Sequence, residues 1–525
     1  MEIRRLQNKA DEDNGSNGFN ILKYTAPESS IISLQSMHWT FCVDRSGSMS
    51  TISSKDNKTR LYHVKATLVR IVEYLKNLCN GTSRTYIIDI VWFNGDIKTS
   101  SITIDGMTDT SAFIKEINDV TAYGMTNMSA AIRKASQLIL EHQSDLKTTM
   151  VVLSDGEITT GISDPQYIRE FVDECYIKFT QNFTPVFVGY GTEQSSSLLS
   201  SLSNTPNGEY HCVESVEGAG IVYGEIVHSA LYECIKDMKI DVLGYKIYDF
   251  EKNTWNSSLT VGKIASGASR VWHLRESRDE NPSGMDQAKA SFNQLSISDD
   301  GDSWSQCILT TANAVVPEIG TTDRECYRYY LRQQVLELLA ESKEYIQNMH
   351  NLIRRNTPPP APRLRRQVGN NISPLFEVDS SQDLDIDLFE PPPTLSPIRF
   401  NNELLPSPNV ETLPALSPRQ LLKQRLIDKM NEIKAYIVQD GDDTGILGTL
   451  CDDLYVCSMA LKSSRGLTYI LARQTSQGNQ RAYNALGVDD LEDDTDMGHQ
   501  MSDNMVSPYA SQQASDVIRG VSQPM

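Results

Sequence analysis

No run in the 525 residues approaches the length of a membrane span, and Met1 to Gly15 is polar and charged where a secretory signal needs an apolar core. The expectation is a soluble intracellular protein, cytoplasmic, with Arg363-Leu364-Arg365-Arg366 read either as a nuclear address or as solvated charge. Positive charge is scarce: 48 Lys and Arg against 68 Asp and Glu leave a net charge of −20. That balance opposes binding to a phosphate backbone, so nucleic acid is not an expected partner. Cysteine is also thin. Nine residues are scattered singly from Cys42 to Cys457, with no Cys-x-x-Cys pair and no histidine at zinc-finger spacing. They are expected to be reduced, mostly buried thiols. No Gly-x-Ser-x-Gly elbow, phosphate-cradling glycine loop or His-Glu-x-x-His helix occurs, and the eight histidines stand isolated in the sequence. An enzyme is therefore not expected.

Against these absences stands one stretch, Val43-Asp44-Arg45-Ser46-Gly47-Ser48-Met49, which follows the apolar run Met37 to Val43. A strand that ends at a glycine-containing turn can let Asp44, Ser46 and Ser48 converge beyond the sheet edge. A hard divalent cation suits such oxygen donors, magnesium in particular, because it takes octahedral oxygen coordination and keeps several waters. A plain solvated Ser/Gly turn fits the same five residues, so the remaining chain must discriminate.

After the turn, Leu61, Val64, Leu68, Ile71, Val72, Leu75 and Leu78 recur at helical spacing. Tyr86 to Phe93 and Thr148 to Leu153 are apolar runs of the kind buried on both faces of a sheet. Lys98 to Ile104 alternates and suits an antiparallel edge strand, and Thr184 to Tyr190 and Tyr210 to Val213 read as further strands. Helical patterns return at Phe113 to Ile117, Met128 to Leu140, Tyr167 to Phe179, Leu198 to Leu202 and Ile221 to Ile235. The alternation over residues 37–238 implies an α/β, doubly wound, mostly parallel sheet with helices on both faces. Ligands of such sheets sit at the carboxyl ends of the strands. Asp44 and Asp155 each end a strand, and Gly124-Met125-Thr126-Asn127 lies between two helices, so three oxygen-bearing loops are expected at one rim.

Asp44-Arg45-Ser46-Gly47-Ser48, Gly124-Met125-Thr126-Asn127 and Leu153-Ser154-Asp155-Gly156, in this order and spacing, resemble the metal-ion-dependent adhesion site of von Willebrand factor type A domains. The resemblance implies that Ser46, Ser48 and Thr126 supply hydroxyl ligands, while Asp44 and Asp155 bind directly or through water. It implies a Mg2+ or Mn2+ ion with one open position for an acidic side chain of a protein partner. Ala472 to Tyr483 resembles the carboxy-terminal region that accompanies this domain in some eukaryotic and viral proteins.

The flanks read differently. Residues 1–18 are expected to be disordered and 19–36 to supply two short strands, Ile21 to Tyr24 and Ser30 to Gln35. These would join a small antiparallel β module at 239–315, which makes the α/β domain an insertion between strands of a sandwich. A long helix is expected over 320–355, a proline-rich disordered linker over 356–416, a helical region over 417–487 and an acidic, polar tail over 488–525. Ser417-Pro418 has the pattern of a capped helix start. Asp440 to Gly445 starts like an EF-hand loop but places Cys451 at position twelve, where a bidentate glutamate is required, so an inter-helix turn is favoured. Asp299 to Asp302 reads as a hairpin turn, and Asp383 to Phe389 as a linear docking motif or a spacer. The leading function is a metal-dependent protein-protein interaction module. The alternatives are a substrate-recruiting adaptor for a ubiquitin ligase, weakened by the lack of RING cysteines, and a metal-dependent hydrolase, weakened by ligands for only one ion.

Overall fold

The computed structural model describes residues 1–6, 18–28, 36–52, 57–142, 146–155, 158–191, 196–213, 219–277, 287–298, 301–315, 322–356, 416–442, 445–481, 491, 499 and 508–522. The chain opens with two strands, β1 (Glu2–Arg5) and β2 (Phe19–Thr25), and then enters the α/β unit. Its elements are β3 (Met37–Asp44), α1 (Arg60–Cys79), β4 (Tyr86–Phe93), β5 (Ile97–Ile104), α2 (Ser111–Asn118), α3 (Met128–Glu141) and β6 (Lys147–Ser154). They continue with α4 (Pro165–Phe179), β7 (Phe183–Tyr190), α5 (Ser196–Leu202), β8 (Glu209–Val213) and α6 (Ala219–Leu231). The strands form one sheet in the order β5-β4-β3-β6-β7-β8, parallel except for the edge strand β5.

All eight residues of β3 are buried, because helices cover both of its faces. Trp39, Phe41 and Val43 point into a core shared with α1 and α6, whereas Cys42 points into one shared with α3 and α4. The topology then decides where a ligand can sit. From β3 the chain runs outward to β4 and β5, and then returns to β6 on the other side of β3. The strand order reverses at β3, so the crevice beyond its carboxyl end is the switch point at which open α/β sheets bind ligands.

Seven strands follow: β9 (Glu233–Leu243), β10 (Tyr245–Asp249), β11 (Thr254–Asn256), β12 (Ser258–Ala265), β13 (Ser269–Glu276), β14 (Gln287–Ser298) and β15 (Gly301–Thr311), with a short β16 (Asn313–Val315) after them. They form two sheets, β11-β10-β13-β2-β1-β16 and β12-β9-β14-β15. Leu22, Tyr24, Ile235, Ile240, Ile247, Leu274 and Phe292 fill the space between the two sheets. The α/β unit is thus inserted between β2 and β9 of a sandwich. Four helices, α7 (Arg324–Asn356), α8 (Pro418–Asp440), α9 (Ile446–Ala460) and α10 (Gly466–Asn479), bury Phe19, Ile21 and Val271 on the outer face of the first sheet. Ser417 caps α8 in a reciprocal box with Gln420, and Pro418 occupies its first turn. A last helix, α11 (Gln512–Ser522), lies on α6 and α1.

Three expectations need correction. Residues 1–18 are not wholly disordered, since Glu2–Arg5 pairs with both β2 and β16. Only Ile3 of that strand is deeply buried, and its pairing partners are distant in sequence, so no local apolar pattern announces it. The tail over 488–525 contains α11, whose Ala514, Val517, Ile518 and Val521 are buried at helical spacing within polar sequence. The sandwich begins at Glu233 and not at 239, because the closing helix α6 already ends at Leu231. Ser30 to Gln35, Asp299-Asp300 and almost all of 356–416, Asp383 to Phe389 included, lie outside the described residues. The eight described cysteines are free, and all but Cys212 are buried.

Candidate functional site

Four of the five residues singled out in the sequence meet beyond the end of β3 in one chain of hydrogen bonds. Asp44 is fully buried; its Oδ1 accepts the Ser46 backbone N–H at 2.8 Å and its Oδ2 accepts the Ser154 hydroxyl at 2.7 Å. The Ser46 and Ser48 hydroxyl oxygens are 3.0 Å apart, and the Ser48 hydroxyl donates to Asp155 Oδ1 at 2.7 Å. Asp155 is also buried, and its Oδ2 accepts from Arg60 Nη1 at 2.8 Å. Burial pushes the Asp44 carboxyl up to about 6, against the pull of the Ser154 and Ser46 hydrogen bonds, and the charge of Asp155 adds to the rise.

The fifth residue, Thr126, is held by its backbone. Its N–H donates to the Thr159 hydroxyl at 2.8 Å, and its carbonyl accepts the Thr159 and Thr160 N–H groups. Among the described residues, no hydrogen bond joins its side chain to the other four. Its loop is nevertheless fastened to the Asp44 turn. Gly47 N–H donates to the Gly124 carbonyl at 3.0 Å, and Tyr123 N–H donates to the Arg45 carbonyl at 2.9 Å. Asn94, just past β4, joins both sides: its amide donates to the Tyr123 carbonyl at 2.8 Å, and its Oδ1 accepts from Arg45 Nη2 at 3.4 Å. Gly124 sits at φ +82°, and a Cβ there would stand 3.2 Å from the Asn94 amide nitrogen, so glycine suits both the turn and the close approach.

The donor set fits a small divalent ion. Metal–oxygen bonds of 2.0–2.1 Å at right angles place neighbouring ligand oxygens about 2.9 Å apart. The Ser46–Ser48 and Ser48–Asp155 separations of 3.0 and 2.7 Å are close to such edges. Two residues that sequence reasoning left without a role belong to this arrangement. Ser154 immobilises Asp44, and it ends an apolar strand next to Asp155, a position that could have suggested it. Arg60, the first residue of α1, neutralises Asp155 from 95 positions away, and no local pattern signals that contact.

A separate cleft between the sandwich and the helices is lined by Lys246, Trp255, Lys263, Arg270, Arg332 and Arg481, remote in sequence from the rim residues.

The family described as von Willebrand factor type A domain matches residues 40–221. That match does not reach residues 472–483. A comparison with curated proteins gives no match. Similar solved structures include a von Willebrand factor type A protein from Catenulispora acidiphila, 12% identical over 63% of this chain and 78% of that one, with a TM-score of 0.42. A second is the ArnB paralog VWA2 from Sulfolobus acidocaldarius, 14% identical over 64% of this chain and 81% of that one, with a TM-score of 0.35. Proximal thread matrix protein 1 from the mussel byssus, in a structure described as having a zinc-occupied metal-ion-dependent adhesion site, is 13% identical over 38% and 44% with a TM-score of 0.27. The sheet order, the matched residues and the rim at the end of β3 together give the α/β part of this chain the von Willebrand factor type A fold.

Proposed function

We propose that this chain is a binding module and not an enzyme, with Ser46, Ser48, Thr126, Asp44 and Asp155 holding one divalent ion through which an acidic side chain of a protein partner is recognised. The observation that carries the reading is the spacing of the Ser46, Ser48 and Asp155 oxygens, which matches neighbouring positions of an octahedron. Charge supports it. Among the charged groups bonded to the donor oxygens, Asp44 and Asp155 face Arg60 alone, while Arg45 points to Tyr123 and Asn94, so the immediate donor set has one net negative charge and would carry one net positive charge with a divalent ion. Mg2+ or Mn2+ bound there would supply an exchangeable, electrophilic position suited to a carboxylate. The chain's own part is to hold the donors still: Ser154 orients Asp44, Arg60 orients Asp155, and the Gly47–Gly124 hydrogen bond joins the two loops.

The test is Mn2+ binding by the full chain, followed by calorimetry, beside capture of partners from the native host with magnesium or with chelator. Asp155→Ala should remain folded in a thermal melt yet bind Mn2+ at least about tenfold more weakly, and partner capture should fall with chelation and with the variant together. Unchanged Mn2+ affinity in a folded Asp155→Ala chain would refute the ion site. Chelator-resistant capture would leave a metal-independent scaffold.

A further inference from the structure

At the opposite end of the same sheet, three side chains from three elements converge. His38 stands near the start of β3, Asp89 in β4, and His142 just past the last residue of α3. His38 Nε2 lies 2.8 Å and His142 Nε2 3.3 Å from the same oxygen, Asp89 Oδ2. The two imidazole rings are 4.4 Å apart, edge to face. The other oxygen, Asp89 Oδ1, accepts the Ser101 hydroxyl from β5, which leaves Oδ2 facing the two rings. His38 and Asp89 are almost fully buried, whereas the His142 side chain is 34% exposed and opens the cluster to solvent.

We propose that His38, Asp89 and His142 form a second metal site, for a borderline transition ion of the Zn2+ class, independent of the rim at the end of β3. Each of the three offers one donor atom, and all three donors lie within 4.8 Å of one another. Zinc–ligand bonds of about 2.0–2.1 Å at the tetrahedral angle separate neighbouring donors by about 3.3 Å. The His142 separation already equals that edge, and the His38 separation is about half an ångström short of it, a gap that a small ring rotation closes. Thr40 Oγ1, 3.2 Å from His38 Nε2, accompanies that ring in its burial.

Ligand chemistry selects the metal. Two imidazoles and one carboxylate suit zinc, cobalt, nickel or copper, whereas magnesium prefers all-oxygen shells. Ser101 serves as the outer partner that orients the ligating carboxylate, a role such groups commonly fill around metals. Three protein ligands with one side toward solvent leave a fourth position for water. Along the strands the site lies roughly 13–20 Å from Asp44, since Asp89 pairs opposite Thr40, four steps from it, and His38 stands six steps from it. An ion here would clip β3, β4 and the end of α3 together, on the face where Cys42, Val91 and Ile132 make the adjoining core.

The experiment uses the full chain, stripped with chelator and titrated with Co2+, whose visible absorption is strong in a tetrahedral N/O site and weak in an octahedral oxygen site. The wild-type chain should take up one Co2+ with the tetrahedral spectrum, and Zn2+ should displace it. Asp155→Ala, which disables the rim, should show the same spectrum. His142→Ala, at a partly exposed position outside the helix, should melt like the metal-free wild type but bind Co2+ at least about 100-fold more weakly, since losing a ligand costs no less than losing an outer partner. Absence of a tetrahedral spectrum in the wild type, or its persistence in folded His142→Ala, would overturn the proposal and leave an aspartate clamped by two imidazoles with protons alone.

Discussion

Asp155 divides its two oxygens between two tasks. Oδ1 faces the Ser48 hydroxyl, where an ion would sit, and Oδ2 is bound to Arg60, whose side chain is largely buried. Arg60 therefore pairs with a buried carboxylate, and its charge would oppose a cation bound beside it. Arg60→Gln should tighten Mn2+ binding by about tenfold, because one repulsive charge within several ångströms is removed from a poorly solvated site. The same variant should melt at a lower temperature in chelator, since it leaves Asp155 without its cation. Calorimetry with and without chelated controls checks both halves; weaker Mn2+ binding would show that Arg60 positions Asp155 more than it opposes the ion. At this scale the sequence was partly legible. Asp44, Ser46 and Ser48 stand together in five residues, but Arg60, His38 and His142 carry no local mark, and only the fold brings each to its partner.

Elements were legible where burial imposes a period. β3, β4 and β6 show continuous apolar runs because helices cover both sheet faces, and α1 shows one stripe because one face is buried. α11 has that stripe too, yet its acidic surroundings read as a tail, and its docking surface is written elsewhere in the chain. That surface is the glycine face of α6. A Cβ on Gly224 would lie 2.5 Å from the Ile518 Cα, and one on Gly220 would lie 2.5 Å from the Ser522 hydroxyl oxygen. The helices approach so closely that backbone meets backbone. Gly224→Ala should then force α11 off α6 or strain both, at a cost of about 1–3 kcal/mol, the usual range for overpacking. Limited proteolysis should release the C-terminal helix sooner in Gly224→Ala than in the wild type, and equal release would mean that α11 docks through its apolar stripe alone.

The whole molecule is joined by elements that serve two cores at once. β2 turns Phe19 and Ile21 toward the helices and Leu22 and Tyr24 toward the second sheet, so one short strand links the sandwich to the helical region. The α/β unit is tied to that helical region by a different device, a partly buried ion pair. Glu209 of β8 accepts from Nη1 and Nη2 of Arg481, just past α10, the Nη2 bond being 3.1 Å, and the Ser196 and Thr468 hydroxyls of α5 and α10 meet at 3.1 Å. Such a link between segments 272 positions apart has no periodic signature in the sequence. Burial pushes the Glu209 carboxyl up, but Arg481 and His211 outweigh it and hold the group far below the usual carboxylate range. A depressed folded pKa gives stability that is present above the unfolded value, about 4.3 for glutamate, and is lost as pH falls through the folded value. Acid should therefore loosen the junction between the α/β unit and the helices. Glu209→Gln should destabilise the chain at neutral pH by about 1–3 kcal/mol, between the values for exposed and buried pairs, because the Arg481 guanidinium loses a partly buried carboxylate. In melts from about pH 7 to pH 3, the wild-type chain should lose stability toward acid more steeply than Glu209→Gln, and the two curves should approach each other at the acid end. Parallel curves across that range would show that the junction is held by packing and that the ion pair contributes nothing to its acid sensitivity.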